Sequence, residues 1–256
     1  MYQCSECGAE SVAPLPSEAQ YASAYRDFDA GRLARQHFDE YVRFAKELLR
    51  RAGVAGSKTF FDYGCGGGHF VRAAEQLGLA AVGMEVDPVS VQAARERGLD
   101  VRSGRLPGSD ALQGQRFDGV LAFHVLEHVP SPYETFRSLE QHTAPGGRIL
   151  IGVPDQCSFP AGAKKMLRGV GIKRSEWGYV QPPIHVHGFR ARTLESLGQR
   201  FALRLETLER VSPLDRSAFP STPAYWRGLW AQRAIYALAR MLRSPGYLFA
   251  VYRKPA

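Results

Sequence analysis

In FDYGCGGGHF, residues 60–69, an acid at Asp62 is followed by Gly64, Gly66, Gly67 and Gly68. A helix does not tolerate that glycine density and a strand gains nothing from it. Glycines between a strand and a helix let the backbone turn tightly and let a ligand lie against bare main chain. The variant excludes the commonest ligands. Position 69 is His where the dinucleotide fingerprint needs Gly, and the Gly-Lys-Ser/Thr of a phosphate loop is absent. A carboxylate repels a pyrophosphate and attracts a cation. The stretch therefore suits an adenosyl ligand that carries positive charge and no phosphate. Glu85, which ends the next apolar run, stands where an acid would accept hydrogen bonds from two vicinal ribose hydroxyls.

Four histidines are candidates for proton transfer near neutral pH: His124, His128, His185 and His187. His185 and His187 are two residues apart and would point to opposite faces of an extended segment, so one can face a pocket while the other does not. These two are taken as the catalytic candidates. Cys4 and Cys7 form a single Cys-x-x-Cys, half of the four-ligand set that structural zinc requires; Cys157 and the histidines could complete it only if the fold brings them close.

The elements that must position these residues alternate. The spacing of Leu33, His37, Tyr41, Phe44, Leu48 and Leu49 predicts helix within residues 18–52. KTFFDY, AAVGME, LDVRS, FDGVLAF and GGRILIGVP read as strands, separated by HFVRAAEQLG, PVSVQAARERG and SPYETFRSLEQHT as helices. Ser131 is a cap, and Pro88 and Pro132 sit in first turns. Such alternation gives a mostly parallel sheet with helices on both faces. Residues 189–200 read as helix, FALRLETLERV and YLFAVYR as strands, and AYWRGLWAQRAIYALARMLR as a long helix. The chain divides into an N-terminal helical extension, 1–52, with the Cys-x-x-Cys, and an α/β domain, 53–256. Insertions at 154–188 and 212–244 follow strands of the second half, where a substrate lid would sit.

FDYGCGGGHF, VGMEVDP, FDGVLAFHVLEHVPSP and APGGRILIGVPD together resemble the class I S-adenosylmethionine-dependent methyltransferases over residues 57–155. HVHGF, residues 185–189, resembles the His-x-His-x-Phe segment of a small-molecule subgroup. The resemblance implies a Rossmann-like seven-stranded sheet with the last strand antiparallel. It implies that Gly64, Cys65 and Gly66 line the methionine end of the cofactor while Asp62 faces its ammonium. Glu85 would bind ribose, Val86 would pack on adenine, and Arg105 and Leu106 would edge that base. Phe123 would offer a backbone carbonyl near the ammonium, with His128 close by. Where the family often has an acid near position 105, this chain has Arg.

Composition limits the partners. The net charge is +8, and residues 190–256 hold twelve Lys/Arg against four Asp/Glu, with no acid after Asp215. A basic tail is a solvated face or meets an anionic partner. Ile235, Leu238, Met241 and Leu242 fall on one helical face and Arg233, Arg240 and Arg243 on another. With Trp226 and Trp230 this is either a packed lid helix or one that lies on an anionic membrane surface. No apolar run reaches the length of a membrane span and no signal-peptide pattern appears, so the expectation is cytoplasmic, with or without peripheral membrane contact. The function expected is methyl transfer to a small-molecule hydroxyl on a sugar, a lipid-linked glycan or a phenol. Nucleic-acid methylation and non-catalytic adenosyl binding are the alternatives. The first is disfavoured because Ala122-Phe123-His124 stands where the Asn/Asp-Pro-Pro-aromatic motif would be.

Overall fold

A computed structural model describes residues 1–27, 38–171, 178–211, 238–239, 241–242 and 244–256. Seven strands form the central sheet: β3 (Thr59–Tyr63), β4 (Ala80–Glu85), β5 (Val101–Ser103), β6 (Phe117–Phe123), β7 (Thr143–Pro154), β9 (Arg204–Val211) and β10 (Tyr247–Arg253). Their order is β5-β4-β3-β6-β7-β10-β9. The pairings among β3 to β7 are parallel, and β10 runs antiparallel to both β7 and β9. The expected mostly parallel sheet with a reversed last strand is the one observed.

Successive strand residues face opposite sides, and the sequence exploits this with unbroken apolar pairs. Phe60, Leu121, Leu150 and Phe249 pack on one face under α2 (Phe38–Arg51), whose Val42, Ala45, Leu48 and Leu49 recur on one stripe. Phe61, Val120, Ile149 and Ile151 pack on the other, under α5 (Pro132–Gln141) and α7 (Ala191–Arg200), which contribute Phe136, Leu139 and Leu194. A strand buried on both faces reads as a continuous apolar run, and β7 is buried from Ile149 to Pro154. The loops at the carboxyl ends of β3, β4 and β6 lie on one edge of this core.

Helices α3 (His69–Glu75) and α4 (Pro88–Glu96) follow β3 and β4. The Asp87 side chain accepts from the amides of Val89 and Ser90 and caps α4. Ser131 caps α5 as expected, with Pro132 in its first turn.

The N-terminal extension is helical only in part. Helix α1 spans Glu18–Asp27, but before it Tyr2–Gln3 (β1) and Glu10–Ser11 (β2) form a hairpin. This hairpin pairs with His187–Gly188 (β8) in a second, three-stranded sheet. Glu10 anchors it from within: buried, it pairs with Arg190 at 2.7 Å and Lys165 at 3.4 Å. The 154–188 insertion contains helix α6 (Phe159–Gly169), capped by Ser158. Only Pro160 and Ala161 of α6 are buried, both in its first turn. The 212–244 insertion lies outside the described residues except at 238–239, 241–242 and 244, and so do Trp226, Trp230, Arg233, Ile235, Arg240 and Arg243 of the expected basic helix.

Candidate active site

The turn from β3 into α3 is built on glycine because two of its positions admit nothing else. Gly64 has φ +71° and a Cβ there would fall 2.4 Å from Val125 Cγ2. Gly68 has φ +86° and its Cβ would fall 2.3 Å from Leu99 Cδ1. At Gly66 the same atom would meet nothing within 4 Å. The turn is thus pressed against its own protein on two sides and open on a third. Cys65 points inward, its sulfur filling the space that Gly83 leaves; burial pushes its thiol well above the ordinary range. Only the backbone of Cys65 is offered to a ligand.

Asp62 and Glu85 frame the opening. Asp62 is buried, and its Oδ2 has no hydrogen-bond partner among the described residues. Burial first, and the negative charge of Glu85 second, push its carboxyl well above the usual range. An orphaned, desolvated acid of this kind is completed by an ammonium group. Glu85 is more occupied than its sequence position suggested. Its Oε2 accepts from the Gly66 amide at 2.8 Å, and its Oε1 from the amides of Val86 at 2.7 Å and Asp87 at 3.0 Å. A carboxylate has about four acceptor positions, so Glu85 fastens the glycine turn to the end of β4 and keeps little more than one for a ribose hydroxyl. Val86 stands beside it, 58% exposed, as an apolar surface for a purine. These residues fit S-adenosylmethionine: an acid for the ammonium, open main chain for the methionyl end, an acceptor for ribose and a side chain for adenine.

Arg105 and Leu106 are placed differently. Arg105 reaches across the surface to Glu18 at 3.2 Å. Leu106 is buried, and the Tyr63 hydroxyl both donates to its carbonyl and accepts from its amide, each at 3.1 Å. Neither the Leu106 side chain nor its amide is offered outward.

The histidines gather beyond β6. Phe123 ends that strand opposite Gly152, with its ring filling the space above that glycine. His124 follows in the left-handed region, φ +59°. Its amide donates to the Gly152 carbonyl at 2.9 Å and its Nδ1 lies 3.0 Å from Glu127 Oε1. His128 donates Nδ1–H to the Ile184 carbonyl at 3.1 Å, and His185 donates Nδ1–H to the Tyr179 carbonyl at 2.9 Å. The rings of His128 and His185 meet edge to face at 4.6 Å. His187 sits apart, with Nδ1 2.8 Å from Ser11 Oγ in the small sheet. The structure therefore brings His124, His128 and His185 together and turns His187 toward the N-terminal hairpin.

Glu127 is the member of this cluster that sequence reasoning missed. Burial opposes its charge, but the His124 hydrogen bond and the potentials of His128, His124 and His185 outweigh it and hold the carboxyl at about 2. Burial lowers His128 to about 4 and also lowers His185 and His187. At neutral pH Glu127 is a carboxylate beside the neutral imidazoles of His128 and His185. The signal was present in HVLEHV, where the acid stands three residues after one histidine and next to another.

Glu127, His128 and His185 are also the one trio of His, Cys or acidic residues, among the described residues, whose ligand-type atoms lie within 4.8 Å of one another. Cys4 and Cys7 gain no such third partner there. They form a tight knuckle, with the Gly8 amide donating to the Cys4 carbonyl at 2.9 Å.

A sheet with one reversed strand between β7 and β9, and an acid–glycine turn after its first parallel strand, is the architecture of class I S-adenosylmethionine-dependent methyltransferases. The chain belongs to the methyltransferase-domain family, which matches residues 33–208. It is 29% identical over 140 residues to the mitochondrial ubiquinone biosynthesis O-methyltransferase of Schizosaccharomyces pombe, covering 52% of this chain and 51% of that one. It is 34% identical over 108 residues to the ubiquinone biosynthesis O-methyltransferase of Pseudomonas paraeruginosa, covering 40% and 46%. The chain thus spans about half the length of these relatives. In fold it is similar to a Haloferax volcanii chain solved with the Trm112 methyltransferase activator, with TM-score 0.66 and 18% identity over 94% of this chain and 100% of that one. It is also similar to the plantazolicin methyltransferase BpumL solved with SAH, with TM-score 0.57 and 14% identity over 93% and 95%.

Proposed function

We propose that this protein transfers a methyl group from S-adenosylmethionine to a hydroxyl of a small molecule, with a phenol or quinol-like acceptor favoured over a sugar. One observation carries the reading. A buried acid with one unpartnered oxygen, Asp62, stands before an open glycine turn, and a histidine–carboxylate cluster follows β6, the strand beside β3. The first matches a cationic donor and the second a hydroxyl that must lose its proton. The names of the relatives support an oxygen acceptor.

The donor supplies an electrophilic methyl group on a positively charged sulfur. The protein supplies orientation, and alignment of this kind is worth about 7–11 kcal/mol. Asp62 would hold the ammonium, Glu85 the ribose and the glycine backbone the methionyl chain. On the acceptor side, a groove of about 580 Å³ lined by Val12, Pro14, Leu15, Pro182 and Pro183 opens next to the segment that carries His185. With Gln20 and Ser23 also in its lining, it suits an acceptor that joins a hydrocarbon tail to a polar head. Such an acceptor resides in or near a membrane, and Leu238, Met241 and Leu242, 41%, 81% and 55% exposed, support the expected contact of the C-terminal segment with an anionic bilayer. No helix among the described residues is long and apolar enough to cross one.

The test is calorimetry followed by turnover. S-adenosylmethionine is expected to bind with micromolar affinity and NAD not to bind. Tritiated donor with a panel of phenols, sugars and RNA is expected to label a phenol. Labelling of RNA, or tight binding of NAD in the glycine turn, would reverse the assignment.

A further inference from the structure

We propose that His124 is the general base of the methyl transfer and that Glu127 is its positioning residue. The proposal rests on the hydroxyl-methylation reading above and names the group that serves it.

Position comes first. The parallel register of β3 and β6 sets Tyr63 beside Ala122, so the residues just past each strand lie side by side at the ligand-binding edge. The glycine turn and the 124–128 loop touch directly, since only the missing Cβ of Gly64 makes room for Val125. A base one residue before Val125 is next to the place where the donor's methionyl end would lie.

Backbone conformation comes second. A non-glycine residue in the left-handed region is unfavourable and persists where its surroundings fix it, most often at functional sites. His124 is fixed at both ends, by the Gly152 carbonyl on its amide and by Glu127 on its ring. A residue that only spaced the loop would be better as glycine or asparagine.

Protonation comes third. A buried carboxylate on Nδ1 makes that nitrogen the donor, which leaves the lone pair on Nε2. The ring is 31% exposed, against 17% for His128 and 1% for Glu127. Its flanks are the edges and faces of Phe123 at 4.7 Å and Tyr247 at 4.5 Å, which suit a flat acceptor. His128 and His185 spend Nδ1–H on main-chain carbonyls, and His128 Nε2 stands 3.8 Å from Glu127 Oε1, against 3.0 Å for His124 Nδ1. His187 faces the small sheet.

The step balances. The acceptor oxygen forms a bond to the methyl carbon as the carbon–sulfur bond breaks, and that electron pair stays on sulfur as a neutral thioether. The hydroxyl proton passes to Nε2 of His124. The positive charge that sulfur loses appears on the imidazole, where Glu127 is already in place to stabilise it. Solvent then takes the proton from the exposed edge of the ring.

The experiment uses the full chain with tritiated S-adenosylmethionine and two probes, catechol and the more acidic 4-nitrocatechol. His124→Gly keeps the left-handed backbone without strain. It is expected to lower kcat on catechol roughly a hundred- to a thousand-fold, to affect 4-nitrocatechol about tenfold less, and to leave donor affinity within about twofold. Added imidazole should restore part of the loss. Glu127→Gln should lose less, and the double variant should be no worse than His124→Gly alone, since a positioning residue has nothing left to position. Nitrogen-15 correlation spectra should show His124 as the Nδ1–H tautomer in the wild type. Equal losses on both phenols, full turnover by His124→Gly, an Nε2–H tautomer, or activity abolished by a chelator while His124→Gly stays active would each overturn the proposal. A wild type that binds donor yet labels neither probe would instead overturn the phenol reading, while the tautomer still reports on the dyad.

Discussion

Two carboxyl groups at the same edge of the sheet are both buried and are driven in opposite directions. Asp62, at the end of β3, has an orphaned oxygen and the charge of Glu85 nearby, and its carboxyl is pushed well up. Glu127, past the end of β6, has His124 on one oxygen and two more imidazoles close by, and it is held at about 2. Burial penalises both; the neighbours decide the outcome. Each keeps one oxygen, Asp62 Oδ2 and Glu127 Oε2, without a hydrogen-bond partner among the described residues; the β3 side is electrostatically incomplete without a cation, whereas the β6 carboxylate is completed electrostatically by its own imidazoles. A site divided in this way can reject an empty turnover, because half of it becomes well formed only when the donor is bound.

The largest effect should come from removing the incomplete half's charge. Asp62→Asn is expected to weaken S-adenosylmethionine roughly a hundredfold or more, by calorimetry, while leaving the ligand-free protein as stable or more so. In the wild type the same affinity should fall on acidification, because the cation needs Asp62 ionised and its raised carboxyl takes up a proton early. An affinity flat from pH 8 to 5 would remove Asp62 from the ammonium site.

The complete half should show itself in stability. His128 titrates at about 4 in the folded chain and near 6.5 unfolded, so the unfolded state binds the extra proton between those values. Stability is full above pH 6.5 and falls as pH drops toward 4, by ~3 kcal/mol. Glu127 has the same sign and adds a further loss between its ordinary value and about 2. Urea midpoints at pH 7.5, 5.5 and 4.5 would show the slope, and His128→Asn should flatten it.

A glycine pair sharpens the comparison further. Gly64→Ala meets Val125 and a left-handed backbone and should cost about 3 kcal/mol. Gly66→Ala meets only the backbone penalty and should cost about 1 kcal/mol, yet obstruct the donor. Glu85→Gln should weaken the donor about tenfold by loosening the turn it fastens. The smallest effect is expected at the C-terminal segment, where Leu238→Ser with Met241→Ser should reduce flotation with phosphatidylserine vesicles severalfold and leave donor binding intact.

What the sequence disclosed follows the range of the interactions involved. The acid–glycine turn was legible because its chemistry is local: Asp62, Gly64 and Gly68 act within seven residues, and the central strands β3, β4, β6 and β7 each carry their own apolar run. The histidine cluster was legible only as a set of candidates. Its arrangement depends on contacts between residues 128 and 184 and between 11 and 187, which no spacing rule reports. Glu127 was hidden because an acid between Leu126 and His128 reads as a helix or loop charge until its burial is known. The N-terminal hairpin was hidden because two-residue strands carry no period.

That hairpin reaches further into the chemistry than its distance along the chain suggests. The Val12 amide donates to the Val186 carbonyl, Ser11 meets His187, and the Val186 amide donates to the Glu127 carbonyl. The first dozen residues therefore staple down a crosspiece that leans on the proton-handling loop from behind. A purification handle that crowds Glu10, or a trim that deletes it, would slacken that crosspiece and blunt the enzyme without touching any residue that meets a substrate.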